Sequence, residues 1–429
     1  MRPIVALLPW GLLLEDFLDP SGLTLEEFCG DFTGSWIFGY ADALDLAGVD
    51  TLIVAVTSKV SSVTRVRHSA TGVSISLLPT PRRYRELRKR MSAPYGRSVE
   101  EVFGSAGKNP LSKAALSALK ELAPYLATPL RSLVQELKSR GCAAVLCQEY
   151  EFPLFDVCVA TQRLHKLPVF GVFQGGDYRR WRIEGAIRPR TVRAAAGLIV
   201  PSVAERTRVA ESYPGSRAEA IPNPVDLSIW RPREKERARE ELGIRPGAVV
   251  VAWHGRVQMW KKGLDVLVDA WAELSRPGDL DAHLLLIGGG GDAADLSQRL
   301  GDHQITDFTW IDRYVHAREE IAEMLAAADI YAFPSRHEGF PVAPLEAMAC
   351  GLPVVAADVS GIRDVIGAET GSGGILVPVA DVASLAAGLR NLVVDPEIRR
   401  LKGLAARAQA ESYGTAAIGA ALRRLLVDR

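Results

Sequence analysis

Two glutamates eight positions apart frame the segment Glu338-Gly339-Phe340-Pro341-Val342-Ala343-Pro344-Leu345-Glu346. The apolar run Ile330–Phe333 before it predicts a strand, so Glu338 falls in the loop that follows. Pro344 pre-sets the backbone for the start of a helix, with Glu346 in its first turn. A helix start presents unpaired N–H groups and a positive potential, which suits an anion such as a diphosphate. Pro341 and Pro344 carry no N–H, so the usable donors are Gly339, Phe340, Val342 and Ala343. The carboxylate of Glu346 can accept hydrogen bonds from two vicinal hydroxyls, as on a ribose, and Glu338 can hold the hydroxyls of a sugar. A plainer account is that Glu346 only complements the helix dipole, and spacing alone leaves both open.

A second group is Gly255-Arg256 followed by Lys262-Gly263. Arg256 ends an expected strand and Lys262 opens an expected helix. Two cations at such a turn can neutralise a diphosphate, with charge-assisted hydrogen bonds contributing about 1.5–3 kcal/mol net. A solvated loop would carry the same residues. Gly288-Gly289-Gly290-Gly291 follows another strand and lets backbone approach a ligand closely. Gly30–Gly34 precedes a helix in the first half. There Gly34 either offers its N–H to a phosphate from the opposite wall or makes a tight structural turn.

Short apolar runs alternating with helical patterns position these residues, and imply parallel sheets with helices on both faces. Expected strands are Ile4–Leu8, Thr51–Val56, Val73–Leu78, Ala143–Cys147, Val169–Phe173 and Gly197–Val200. A long loop ending in Gly30–Gly34 follows the first of these, then a helix runs to about Ala47, and the stretch from Pro81 to Pro110 reads as polar, basic and irregular. Leu111–Ser139 reads as helix broken by Pro124 and Pro129. Pro222-Asn223-Pro224 punctuates the chain, and a second alternating unit follows with strands at Val249–Trp253, His283–Ile287, Phe308–Ile311, Ile330–Phe333, Pro353–Ala356 and Gly374–Val377. The expected division is 1–224, 225–410 and a last helix within 411–429. Ligands of such sheets bind beyond the C-terminal strand ends, so two facing edges would make a two-substrate cleft.

The 429 residues exceed the range of one growing core, which also favours two domains. Lys plus Arg and Asp plus Glu are 51 each, so net charge draws the chain to neither nucleic acid nor anionic membrane. The basic cluster Arg82, Arg83, Arg85, Arg88, Lys89 and Arg90 is the local exception. It is a solvated helix face, or a face for an anionic acceptor or peripheral contact with a membrane. Five cysteines, an odd number without C-x-x-C spacing, favour free thiols over a disulfide framework or zinc site. No run of about 18 apolar residues spans a membrane, and the apolar start is too short for a signal peptide, so the expected location is cytoplasmic.

Taken together, the motifs resemble those of the retaining glycosyltransferases of family 4. The likeness rests on Pro334-Ser335-x-x-Glu338-Gly339-Phe340 and on Leu345-Glu346-Ala347-Met348-Ala349-x-Gly351-x-Pro353-Val354-Val355-Ala356. Gly255-Arg256, Lys262-Gly263, Pro222-Asn223-x-Val225-Asp226, Gly361, Gly374, Leu376 and Val377 extend it. Coverage is good from about Ala220 to Val394 and thin before that.

The resemblance implies a GT-B fold, two Rossmann-like domains facing a cleft, with the C-terminal one binding a nucleotide-sugar donor, the N-terminal one an acceptor, and the last helix crossing back. It implies that Arg256 and Lys262 hold the donor diphosphate, Glu346 the ribose and Glu338 the transferred sugar, with Gly34, Gly255, Gly288, Gly289, Gly339, Phe340, Val342 and Ala343 around the donor. It implies retention of anomeric configuration without a metal or other cofactor. Asp42-Ala43-Leu44-Asp45 has helical spacing rather than that of a metal motif.

The first half departs from the family. Where many members carry a histidine near the anomeric carbon, this chain has Phe173-Gln174-Gly175-Gly176-Asp177, leaving Gln174 or Asp177 as acceptor-side candidates. Trp36, Tyr178 and Trp181 are stacking candidates or core, and His254, His316 and His337 lie near motif residues. A catalytically silent nucleotide-sugar binder and a sugar-nucleotide epimerase are the competing readings.

Overall fold

The computed structural model describes residues 2–9, 11–96, 98–104, 110–175, 182–276, 280–367 and 371–428. The first half builds a sheet from β1 (Ile4–Leu8), β2 (Asp50–Thr57), β3 (Thr64–Arg67), β4 (Ser74–Pro79), β5 (Cys142–Cys147), β6 (Val169–Val172), β7 (Gly197–Val200) and β8 (Ala218–Ala220), in the order β3-β4-β2-β1-β5-β6-β7-β8. All pairings are parallel except β3 with β4. The second half builds an all-parallel sheet from β9 (Val249–His254), β10 (Ala282–Ile287), β11 (Phe308–Ile311), β12 (Ile330–Phe333), β13 (Val354–Ala357) and β14 (Gly374–Val377), in the order β11-β10-β9-β12-β13-β14.

The central strands are rich in Val, Ile, Leu and Ala and buried on both faces, as helix-covered parallel sheets require. Each sheet carries apolar clusters on its two sides. The edge strand β3, Thr-Arg-Val-Arg, alternates exposure and carries charge at a sheet margin. Neither β3 nor β8 reads as a strand from its residues, because both are short and polar.

Three helical expectations need correction. The segment after Pro81 is not irregular throughout, since it holds helices Arg82–Arg88 and Val99–Phe103. Pro124 does not break its helix, which runs Pro110–Leu126, whereas Pro129 does separate it from Leu130–Ser139. The long loop after β1 contains helices Glu15–Leu18 and Leu25–Gly30, the second opened by a reciprocal Thr24–Glu27 capping box.

The last helix, α2 (Thr415–Leu426), lies against α1 (Ser35–Leu46) of the first domain. Ile418, Leu422 and Leu426 join that domain's core, and Arg423 donates to the carbonyl of Ala47 at 2.8 Å. Gly419 sits at the crossing, where an added Cβ would lie 1.9 Å from the carbonyl oxygen of Ala43. Gly419→Ala should therefore force the helices apart and cost about 1–3 kcal/mol, typical of overpacking. Denaturant titration reads the loss, and unchanged stability would contradict this packing.

Candidate functional site

The second sheet reverses direction between β9 and β12, because β10 and β11 add on one side and β13 and β14 on the other. Loops leaving two such strands diverge and open a crevice at their C-terminal ends. The loop after β9 carries Gly255 and Arg256, and the loop after β12 carries Glu338. A cavity of about 770 Å³ opens there, lined from the second half by His254, Gly255, Arg256, Lys261, Lys262 and Glu346 among others.

Lys262 closes the short helix Met259–Lys262 and sends its Nζ to Glu338 Oε1 at 2.6 Å. Arg256 places its guanidinium 5.8 Å from the Phe17 ring centroid of the first half. Lys261, which sequence reasoning missed, lines the same wall. Burial lowers its pKa first, and the positive charges of Lys262 and Arg256 lower it further against the opposing pull of Glu338. Three ammonium or guanidinium groups thus converge on one side of the cavity.

Glu346 sits in the second turn of helix α3 (Val342–Ala349), not the first, and is buried. Its Oε2 lies 3.0 Å from Nε2 of His254, at the end of β9. With a carboxylate at that distance, Nε2 carries the proton and donates. The His254 ring stacks on Trp230, whose centroid is 6.1 Å away, and both rings line the cavity together with Trp253. Val342 and Ala343 line it at the start of α3. The ring of Phe340 turns the other way, into the core beside Tyr413.

The glycine loop after β10 serves packing more than ligand approach. Gly288 reaches the cavity, but an added Cβ there would lie 1.8 Å from the carbonyl of Gly255, and Gly289 rests on the backbone of Arg313. Gly34 lines the cavity from the first half and is the N-cap residue of α1.

The two halves meet around this cavity. Thr33 N–H and the carbonyl of His316 are 3.3 Å apart, and Arg318 Nη1 reaches Asp42 Oδ2 at 2.8 Å. Gly339 touches Gly175 so closely that a Cβ on Gly339 would lie 2.3 Å from Gly175 Cα.

The first half contributes Leu12, Phe17, Tyr95, Lys120, Glu149, Glu151, Gln174 and Glu184 to the lining. The side chain of Gln174 is tied to Asn223, with Nε2 to Oδ1 at 3.1 Å and Asn223 Nδ2 to Oε1 at 3.2 Å. Its backbone N–H donates to Glu149 Oε2 at 3.1 Å. Glu149 is buried, and burial pushes its carboxyl up to about 8. Nothing in the linear chain marks it, since its state depends on what surrounds it. Asp177, Tyr178 and Trp181 lie outside the described residues, as does the side chain of Trp36. His337 is half-buried and is not among the lining residues.

The basic cluster lies on helix Arg82–Arg88 and the turn beyond, outside the cavity. Arg88 pairs with Asp16 at 2.8 Å and Lys89 with Glu86 at 3.0 Å, while Arg82, Arg83 and Arg90 are exposed. Among the described residues, no helix is long and apolar enough to cross a membrane.

Residues 248–395 match the family model described as glycosyl transferases group 1. The chain is 36% identical over 264 residues to a D-inositol 3-phosphate glycosyltransferase of Kineococcus radiotolerans, covering 56% of this chain and 60% of that protein. It is 34% identical over 238 residues to the protein of the same description from Nocardia farcinica, covering 54% and 52%. The chain thus spans between half and three fifths of the length of these relatives.

Two solved structures are alike over nearly the whole fold. One is sucrose-phosphate synthase from Thermosynechococcus elongatus, with a TM-score of 0.70 at 18% identity over 99% of this chain and 98% of that one. The other is Anabaena Alr3699/HepE in complex with UDP, with a TM-score of 0.68 at 17% identity over the full length of both. Matched segment and architecture agree: residues 248–395 are similar to the group 1 glycosyl transferases, and the chain has the GT-B fold.

Proposed function

We propose that the protein transfers a sugar from a nucleotide-diphosphate sugar to an acceptor hydroxyl, with retention of anomeric configuration and without a metal ion. The observation that carries this reading is the convergence of Arg256, Lys261 and Lys262 on one wall of the cavity between the halves. A leaving diphosphate gathers negative charge as the glycosidic bond breaks. Cations already fixed in place stabilise that charge without reorganising, and the start of α3 adds its N–H groups. This positive charge does the work that a divalent cation does elsewhere.

Glu346, held by His254, faces the donor ribose. Glu338 exchanges its bond to Lys262 for hydroxyls of the transferred sugar, freeing the ammonium for phosphate. The acceptor hydroxyl attacks on the face the phosphate leaves. The bond from the anomeric carbon to the phosphate oxygen breaks, the bond to the acceptor oxygen forms, and a phosphate oxygen takes the acceptor proton. The UDP complex of the similar HepE fold makes uridine the first base to try.

Four measurements test this. A thermal-shift panel of UDP, GDP and ADP should show one stabilising diphosphate. Release of that diphosphate from its sugar nucleotide, without acceptor, should be slow but measurable; no release would favour a silent binder, and a new sugar nucleotide an epimerase. Arg256→Ala and Lys262→Ala should each lower transfer at least about a hundredfold, since losing one such contact costs roughly 3 kcal/mol of transition-state binding. Wild-type rates in either variant would refute the phosphate assignment. Activity should also survive EDTA, and abolition by EDTA with recovery on added manganese would refute the metal-free step.

A further inference from the structure

The imidazole of His254 is gripped from several sides. Its ring stacks on Trp230 at 6.1 Å between centroids, with 22° between the planes. The ring of Tyr331, from the neighbouring strand β12, stands 5.3 Å away at a tilt. The Tyr331 hydroxyl donates to the backbone carbonyl of His254 at 3.3 Å and accepts its backbone N–H at 3.4 Å. All three residues are buried. What the ring has left to offer is its two nitrogens. Nε2 lies 3.0 Å from Oε2 of Glu346. Nδ1 is buried and has no partner among the described residues. A proton on Nδ1 would lack an acceptor, so the imidazole keeps its proton on Nε2 and donates it to Glu346.

That bond does something specific to the glutamate. A glutamate carboxylate turns easily about its last side-chain torsion. Two vicinal hydroxyls can be received together only if the carboxylate plane is fixed. His254 fixes it from Oε2. Among the described residues the Glu346 carboxylate has no other hydrogen bond or ion pair, so Oε1 is unengaged in a residue that lines the cavity. A singly protonated imidazole is also neutral. It orients the carboxylate without cancelling its charge, whereas Glu338 is bonded to the ammonium of Lys262. Glu346 therefore stays a charged acceptor, the stronger kind for a hydroxyl donor.

Position in the chain agrees with this. His254 ends β9, and Arg256 follows two residues later, both lining the cavity. In a nucleotide the ribose and the first phosphate are one ester link apart. One strand end thus carries the residue that faces phosphate and the residue that sets the carboxylate for ribose.

We infer that His254 is a positioning residue that gives the donor site its preference for ribose, so that the His254–Glu346 pair, and not the glutamate alone, reads the two ribose hydroxyls. This rests on the glycosyl-transfer reading above and deepens it.

The test is calorimetry on the full chain. UDP, GDP and ADP are titrated first, then the dideoxyribonucleoside diphosphate of the base that binds, which lacks both ribose hydroxyls. Wild type should prefer the ribonucleotide at least about tenfold. His254→Phe keeps a ring against Trp230 but removes the donor. It should bring the preference to within about threefold while leaving affinity for the dideoxy compound within about twofold of wild type. His254→Gln, whose amide N–H has a similar reach, should restore most of the preference, and the shorter His254→Asn should not. Glu346→Leu should lose the preference, and adding His254→Phe to it should remove nothing more, because the histidine acts through the carboxylate.

A tenfold preference that survives in His254→Phe, a Gln variant no better than Asn, or a further loss in the double variant overturns the inference. If His254→Phe does not fold, the Gln and Asn variants decide the matter between them. If no diphosphate binds, or wild type binds both forms alike, the donor reading with its ribose at Glu346 fails instead.

Discussion

Positive charge gathered where water is scarce sets the terms for this molecule. Arg256, Lys261 and Lys262 share a cavity wall, and burial together with the other two cations loosens the proton on Lys261. At an effective dielectric near 20, unit charges about 4 Å apart interact by about 4 kcal/mol. Like charges at such a site demand an answer. Glu338 supplies part of it through Lys262, and an anionic ligand fits the rest.

The sheets make that arrangement possible. Parallel strands direct all their C-terminal loops to one edge, and each sheet reverses order once. Residues far apart in the chain then meet. His254 ends β9 and Glu346 follows β12, and because those strands are neighbours the two side chains lie 3.0 Å apart. Close approach of the halves depends on backbone alone at Gly175 and Gly339, since no side chain fits between them. The second half thus brings Arg256, Lys261 and Lys262 to the cavity.

Much of this was legible in the chain. The strands of the second half are mostly apolar, and the spacing of Gly255-Arg256, Lys262 and Glu346 marked residues that line the cavity, with Glu338 bonded to Lys262 behind them. Lys261 was passed over because two adjacent lysines read as one basic position. The His254–Glu346 bond depends on strand order, which no local pattern encodes. Glu149 escaped notice because its character comes mainly from burial, with Glu205 brought near by the fold, neither of which its neighbours in sequence reveal. β3 and β8 are too short and polar to read as strands, and Gln174 could not be known to spend its side chain on Asn223.

The most direct test is a structure determined with the bound nucleoside diphosphate. The account requires both phosphorus atoms to lie against the guanidinium of Arg256 and the ammonium of Lys262, with the ribose hydroxyls at Glu346. Phosphates lodged beside Glu149, or outside the cavity altogether, would contradict it.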